Sequence, residues 1–267
     1  MPCTWTRRNS RWKASWSECL TWWRIGIARR RGKMWTRRAL NWLLRLAFRL
    51  FTRLDVRGLE NVPLQGRQIL MFNHVNFLDA PLAAAFWPRE VEVLTKVENL
   101  RSWLLGPFMR LYGAFPVNRG EVDRRALTRA TWVLESERVL LISPEGTRSR
   151  GRGLGKAKDG MALLAVRTKS PIVPVAIWGQ EQVIPSLLRL RRAELHMVVG
   201  KPFRFDYEAT GKIDREAIRQ MTAEAMYILA AMLPERYRGV YGNLAEATTR
   251  YIRYDTEPDA LRQHTAA

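Results

Sequence analysis

Thiols are scarce in this chain: 267 residues supply only Cys3 and Cys19. Two cysteines build no disulfide framework, and with no CxxC spacing or adjacent histidine they give a zinc ion no set of ligands. Such usage suits a reducing compartment. Histidine is almost as rare, with three copies, so any imidazole chemistry falls on His74, His196 or His264. No Gly-x-Ser-x-Gly elbow occurs, which removes the usual serine hydrolase signature. Gly151-Arg152-Gly153-Leu154-Gly155-Lys156 lacks the first glycine of the Walker spacing and the hydroxyl residue after the lysine, so it reads as a mobile basic loop. Long apolar runs are missing too. No window of about 18 residues is free of charge, which disfavours a spanning helix, and the three-part pattern of a secretory signal is absent.

Acid is the last shortage: 25 Asp and Glu stand against 45 Lys and Arg, a formal net charge of +20. The excess is uneven. The first 53 residues hold 14 basic groups and one acid, Glu18, together with seven of the eleven tryptophans. Trp mixed with Arg is what an anionic bilayer interface favours. Across 40–54, Arg45, Arg49 and Arg53 recur every four residues as one cationic stripe. Trp42, Leu43, Leu46, Ala47, Phe48, Leu50, Phe51 and Leu54 make a broad apolar face. The pattern predicts an amphipathic helix lying in the headgroup plane, its arginines reaching to lipid phosphates. Met34 directly precedes this helix and is a candidate start, in which case the Trp/Arg argument shrinks to Trp35, Trp42 and the stripe.

His196 lies in an apolar strand-like run and His264 in a polar tail, which leaves His74 as the candidate base. A neutral imidazole is the side chain best suited to remove a proton from an attacking hydroxyl. Asp79 lies five residues on, and on a regular helix that spacing rotates by about 500°, so the two would not share a face. They meet only if His74 precedes the helix. Ile69-Leu70-Met71-Phe72 is a short apolar run of strand type, Asn73 is a turn or cap residue, and Pro81 fits a first helical turn. This strand-loop-helix placement lets Asp79 reach back to His74.

Three further blocks follow strand-like runs, where α/β sheets place their ligand sites. Arg119 ends Gly113-Ala114-Phe115-Pro116-Val117-Asn118-Arg119. Ile142-Ser143-Pro144-Glu145-Gly146-Thr147-Arg148-Ser149 supplies an acid, a glycine, a hydroxyl and an arginine. Pro171-Ile172-Val173-Pro174-Val175-Ala176-Ile177 is an apolar strand in which Pro174 restricts pairing. In order and separation these blocks resemble the glycerolipid acyltransferases, in particular the 1-acylglycerol-3-phosphate type, from about Leu54 to Tyr241. The resemblance implies that His74 and Asp79 are the catalytic dyad, that Arg119 contacts the acceptor phosphate, and that Glu145, Gly146, Thr147 and Arg148 bind the acceptor. Asn76 stands where that family commonly has serine, and Ser143 where it usually has phenylalanine. The implied reaction moves a fatty acyl group from a thioester donor, acyl-CoA or acyl carrier protein, to the free hydroxyl of a lysophospholipid. The leading acceptor is 1-acylglycerol-3-phosphate, giving phosphatidic acid, with another lysolipid as the alternative. Glu145 is left with two roles, bonding a glycerol hydroxyl or orienting an arginine. No cofactor and no metal are implied.

Apolar strand runs at 69–72, 91–95, 113–117, 139–142, 171–177 and 195–199 alternate with helical stretches at 123–137, 158–168 and 215–232. That alternation predicts an α/β fold, a mixed and largely parallel sheet covered by helices, with the amphipathic element at its N-terminal side. The segment 97–112, rich in Leu, Trp, Phe and Met, reads as core or as a wall of an acyl-chain groove. The expected divisions are a basic leader and interfacial helix over 1–53, an acyltransferase domain over 54–245 and a polar tail over 246–267. Attachment to the cytoplasmic face of a membrane follows as an expectation. A basic nucleic-acid binder is the competing class, since pI is near 11, but the basic excess is not spread along the domain, so no nucleic acid is expected as a partner.

Overall fold

The computed structural model describes residues 35–96, 100–103, 105–117, 124–149, 151–208 and 213–254. The Trp/Arg-rich leader, Arg119 and His264 lie outside the described residues. Helix α1 (35–51) leads directly into β1 (Thr52–Arg57). The chain continues through β2 (Gln68–Phe72), α2 (Asp79–Phe86), β3 (Val91–Lys96), α3 (Leu105–Tyr112), β4 (Phe115–Val117), α4 (Arg124–Glu135) and β5 (Val139–Ile142). It ends with α5 (Gly160–Thr168), β6 (Ile172–Trp178), α6 (Val183–Leu188), β7 (Ala193–Val199), β8 (Phe203–Phe205), α7 (Arg215–Ala231) and β9 (Ile252–Tyr254).

The strands form one sheet in the order β1-β7-β6-β2-β5-β3-β4, with β8 paired to β6 and β9 to β8. From β6 to β4 every neighbouring pair is parallel, and β1 is parallel to β7. The antiparallel pairs are β6 with β7, β6 with β8, and β8 with β9. The sheet is therefore mixed and largely parallel, as the alternation of apolar runs predicted. Strands β2 and β6 are apolar along almost their whole length because helices cover both faces. One face packs against α1, α2, α3 and α6 through Leu70, Phe72, Val173, Val175 and Leu195. The other packs against α4, α5 and α7 through Ile69, Met71, Leu140, Ile172 and Ala176.

Pro174 sits in the middle of β6 without breaking it. Its carbonyl accepts from Gly200 N–H at 2.8 Å, so its missing N–H faces the gap where β7 has ended at Val199 and β8 has yet to start at Phe203. After β6, Gly179 turns the chain at φ 90°, and a Cβ there would lie 2.2 Å from the Glu194 carbonyl oxygen, so only glycine fits.

Two expectations are corrected at the N-terminal side. The helix stops at residue 51, so Arg53 and Leu54 belong to a strand, where Leu54 pairs with Leu195. Thr52 closes the last helical turn by donating its hydroxyl to the Phe48 carbonyl at 2.6 Å, and Arg192 donates to the carbonyls of Arg49 and Thr52. The arginines also do not form one outward stripe. Arg45 turns inward and donates to the carbonyls of Ala85 and Trp87, the open acceptors at the C-terminal end of α2. Arg37 goes further in, pairing both guanidinium NH2 groups with Glu92 at 3.1 Å and donating Nε–H to the Tyr112 carbonyl at 2.6 Å. What α1 presents outward is apolar: Trp35, Trp42, Leu43, Leu46 and Leu50 are all exposed, Trp42 at 62%. Among the described residues no helix is long and apolar enough to cross a membrane.

Residues 246–254, expected to be peripheral, are fastened to α7. The buried Glu224 carboxylate accepts from Thr248 Oγ1 and from the N–H groups of Arg250 and Tyr251, which sets β9 beside β8.

Candidate active site

The parallel strands β2, β5 and β6 end at one edge of the sheet, Met71 level with Ile142 and Phe72 level with Val175. The segments that follow them carry the His74 loop, the Glu145 turn and the Gly179 turn. A single asparagine manages the exit from β2. Asn73 is buried, and its carboxamide stands in for a peptide unit: Nδ2 donates to the Ile177 carbonyl at 2.7 Å while Oδ1 accepts from Ile177 N–H at 2.8 Å. The β2–β6 ladder is thereby extended by a side chain, which frees the backbone to turn away at His74.

Asp79 opens α2 and is fully buried. Its Oδ2 accepts from Val75 N–H at 2.6 Å and Asn76 N–H at 2.8 Å, and lies 2.9 Å from His74 Nδ1. One oxygen thus shapes the loop and orients the imidazole together. Since an ionised carboxylate only accepts, the Nδ1 nitrogen carries the proton and Nε2 is left as the basic nitrogen. The His74 side chain keeps 18% of its surface exposed and tilts against the Phe72 ring at 5.5 Å. Burial pushes the Asp79 carboxyl up from the usual carboxylate range, opposed by the bond and charge of His74 and by the two backbone donors.

Glu145 has a role inside the fold that neither of the sequence-based roles includes. Its Oε1 accepts from His74 N–H at 3.0 Å and its Oε2 from Gly155 N–H at 2.8 Å, so both carboxylate oxygens are engaged by backbone. Ser149 N–H donates to the His74 carbonyl at 2.7 Å. The histidine backbone is therefore gripped on both sides by the segment that follows β5. Burial raises the Glu145 carboxyl, with the Gly155 and His74 amides pulling the other way. An acid whose folded value lies above its unfolded one binds its proton more tightly when folded. This group's contribution to stability is accordingly largest at low pH and is lost as pH rises from the ordinary glutamate range through the folded value. Glu145→Gln is expected to flatten that part of the pH–stability curve, measured by urea denaturation at a series of pH values, and to lower activity because one backbone N–H loses its acceptor. Parallel curves for the two proteins would rule the assignment out.

Gly146 has φ 65°, closing a turn in which its N–H donates to the Ser143 carbonyl at 3.1 Å. A Cβ at Gly146 would come 3.3 Å from Lys158 Cδ and Cε, so the lysine stem lies over the turn. Thr147 and Arg148 are exposed at its tip. The 151–156 segment, expected to be mobile, is pinned. Leu154 is buried, its N–H donates to Tyr237 and its carbonyl accepts from Val240, and Gly153 packs so tightly on Gly239 that a Cβ would lie 2.6 Å from the Gly239 nitrogen. Asn76 spends its side chain inside the fold, donating Nδ2–H to the Gln180 carbonyl at 2.9 Å and accepting from Leu78 N–H at 2.8 Å.

The structure thus unites His74, Asp79 and Glu145 directly, and sets Gly146, Thr147 and Arg148 on the turn beside them. The sequence reading missed the structural work of Asn73 and the position of Lys158. His196 is set apart from this loop, stacked on Trp178 at 4.8 Å and 3.3 Å from Asp55.

Residues 53–178 match the family model described as Acyltransferase. The fold is similar to the crystal structure of the 1-acyl-sn-glycerophosphate acyltransferase of Thermotoga maritima, with a TM-score of 0.55 and 25% identity over 73% of this chain and 78% of that one. Residues 53–178 carry an acyltransferase domain similar to those of the glycerolipid acyltransferase family. The chain is 25% identical over 187 residues to a chloroplastic 1-acyl-sn-glycerol-3-phosphate acyltransferase of Brassica napus, covering 67% of this chain and 53% of the relative. It is 29% identical over 126 residues to a 1-acyl-sn-glycerol-3-phosphate acyltransferase of Borreliella burgdorferi, covering 46% and 50%. The chain spans about half the length of the curated relatives it matches. The matched segment begins in β1 and ends with β6, so this acyltransferase domain has the His74 loop and the Glu145 turn inside the shared region.

Proposed function

We propose that this acyltransferase domain transfers a fatty acyl group from a thioester to the free hydroxyl of a lysophospholipid, 1-acylglycerol-3-phosphate above all, yielding phosphatidic acid. The observation that carries the reading is the 2.9 Å contact of His74 Nδ1 with a buried Asp79 oxygen, which leaves Nε2 basic at the strand-end edge of the sheet. In the proposed step Nε2 takes the hydroxyl proton as that oxygen attacks the thioester carbonyl carbon. The tetrahedral intermediate collapses with cleavage of the C–S bond, and the imidazolium returns its proton to the departing thiolate. Asp79 stabilises the imidazolium in between. Because the Gly146 amide is already engaged by Ser143, the Thr147 and Arg148 amides of the same turn are the better candidates to meet the oxyanion.

Arg148, exposed at the tip of that turn, is assigned to the acceptor phosphate, with Arg119 as its partner by family resemblance. Arg148→Ala is expected to raise KM for the lysolipid by about tenfold to a hundredfold with a smaller change in kcat, the signature of a lost charge-assisted bond to phosphate. An unchanged KM would take Arg148 out of the acceptor site. Leu44, Ala80, Ala84, Val93, Phe108 and Met109 line a small apolar dimple between α1, α2 and α3 whose volume, about 20 Å³, is too small for an acyl chain. Of the 97–112 segment, Phe108 and Met109 pack toward α1 and α2, whereas Trp103 and Leu111 are exposed.

The outward apolar face of α1 is assigned to a membrane surface, where lipid substrates reside. The apolar face meets the bilayer as the sequence pattern leads one to expect, but Arg45 is spent inside the protein rather than on lipid phosphates. The test of the whole reading is a panel assay with purified protein: labelled acyl-CoA and acyl carrier protein thioesters offered against lysolipids and glycerol 3-phosphate. Thioester consumption without ester formation on any lysolipid would overturn it.

A further inference from the structure

The turn that closes α6 plays no part in this chemistry, yet it breaks two local rules. The N–H of Arg191 donates to the Ser186 carbonyl at 2.8 Å and that of Leu190 to Leu187 at 3.0 Å, the bond pair with which a helix ends through one left-handed residue. Glycine usually fills that position. Here it is Leu190, at φ 54°, where a Cβ is disfavoured. The same leucine is 98% exposed and Leu188 is 82% exposed. In water, a strained backbone that holds a leucine fully out into solvent gains nothing, and departures of this kind concentrate where a segment meets a partner.

Two further observations say which partner. The segment from Val183 to Arg192 has three arginines and no acid, so its leucines are set among cations. Position is the second. Arg192 ties the turn to the C-terminal end of α1 through the Arg49 and Thr52 carbonyls, beside the exposed Leu50 and Phe51. Since β7 runs antiparallel to β6, it begins at the edge where β6 and β2 end, which puts the turn at the same end of the sheet as the His74 loop. Leucines projecting beside the exposed Arg189 and Arg191 fit an anionic bilayer, the apolar tips below the phosphate plane and the guanidinium groups at it.

We infer that Leu188 and Leu190 form a second anchoring point that inserts into an anionic lipid surface and, with α1, holds the His74 end of the sheet against the lipid boundary. This rests on the assignment of the α1 face to a membrane surface. A bilayer contacted by α1 alone leaves the domain free to rock about that helix, whereas two contacts fix the orientation of its His74 end.

The experiment is vesicle co-sedimentation of the full chain with mixed phosphatidylcholine and phosphatidylglycerol, alongside thermal denaturation of each variant. Leu188→Ser combined with Leu190→Gly is expected to weaken vesicle binding by about tenfold or more, since two leucine side chains lose their apolar burial. The thermal midpoint should hold or rise, because glycine suits the left-handed turn. Leu190→Asn, which also tolerates that conformation, should weaken binding to a lesser degree and serves if the double variant misfolds. Trp42→Ser with Leu46→Ser tests α1 separately. Loss of binding in the turn variants supports the inference whatever α1 does. Full binding by the turn variants with loss in the α1 pair overturns it and keeps the α1 assignment, and full binding by both sets overturns both. Vesicle binding that is unchanged while a solution dimer dissociates would make this a protein interface and overturn it as well.

Discussion

His74→Ala is expected to lower kcat for acyl transfer by roughly 10²–10⁴-fold, the range over which a positioned general base contributes. The fold should persist, because the loop is shaped by contacts that do not involve the imidazole: Asp79 with the Val75 and Asn76 amides, Glu145 with the His74 amide, and Asn73 with Ile177. Asp79→Asn is a sharper companion. An asparagine can still accept from Nδ1–H and keep the ring in place, but it has no charge with which to stabilise the imidazolium. Its kcat should therefore fall with little change in KM, alongside a loss of stability of about 1–3 kcal/mol, since the new amide NH2 takes the place of an oxygen that has no partner in its buried site. Purified variants assayed with an acyl thioester and lysophosphatidate decide the matter. Near-normal turnover in His74→Ala would end the proposed mechanism.

The second large effect concerns stability. Glu92→Ala is expected to destabilise the protein by about 3–5 kcal/mol, because it strands a buried guanidinium. Glu92 on β3 is buried and receives Arg37 from α1 through two bonds of 3.1 Å and Arg138 at 3.0 Å. Arg138 is partly exposed and can turn to water. Arg37 cannot, since it is enclosed by the Tyr112 carbonyl and ring, and without Glu92 its remaining partners are the Gly113 carbonyl at 3.5 Å and the half-exposed Glu90 carboxylate at 3.8 Å. Removing both charges at once, as in Arg37→Met with Glu92→Leu, should recover a substantial part of the loss, the expected result when the damage comes from an unpaired buried ion. Urea denaturation of the two singles and the double gives the coupling. Losses below about 1 kcal/mol for Glu92→Ala would place the pair with weak surface bridges instead.

The parts of this molecule that could be read from sequence are those where local pattern and tertiary outcome agree. Short apolar runs such as Ile69–Phe72 and Val139–Ile142 have no alternative to the middle of a covered sheet, and the i, i+5 spacing of His74 and Asp79 makes sense only across a strand-loop-helix junction. What could not be read depends on partners far along the chain. Arg53 and Leu54 continue the helical spacing of 40–51, and only pairing with β7 makes them a strand. Arg45 looks like a lipid-facing cation until α2 is in place with its unpaired carbonyls. The glycine-rich 151–156 segment looks loose until Tyr237, Val240 and the Glu145 carboxylate arrive to hold it. Within the candidate site the residue types are legible, but nothing in the Glu145 motif reveals that two backbone amides bond its carboxylate.

The pairing of β1 with β7 sets an order of assembly. Asp55 lies beside His196, 141 residues later, and Thr52 beside Ala193. A parallel edge strand of this kind has no neighbour until almost the whole chain has left the ribosome, and the loop to be closed is long. During synthesis, the helix joined to it would emerge with its tryptophans and leucines uncovered and its strand waiting. A nascent chain in that condition can settle on a lipid leaflet first and complete its sheet there.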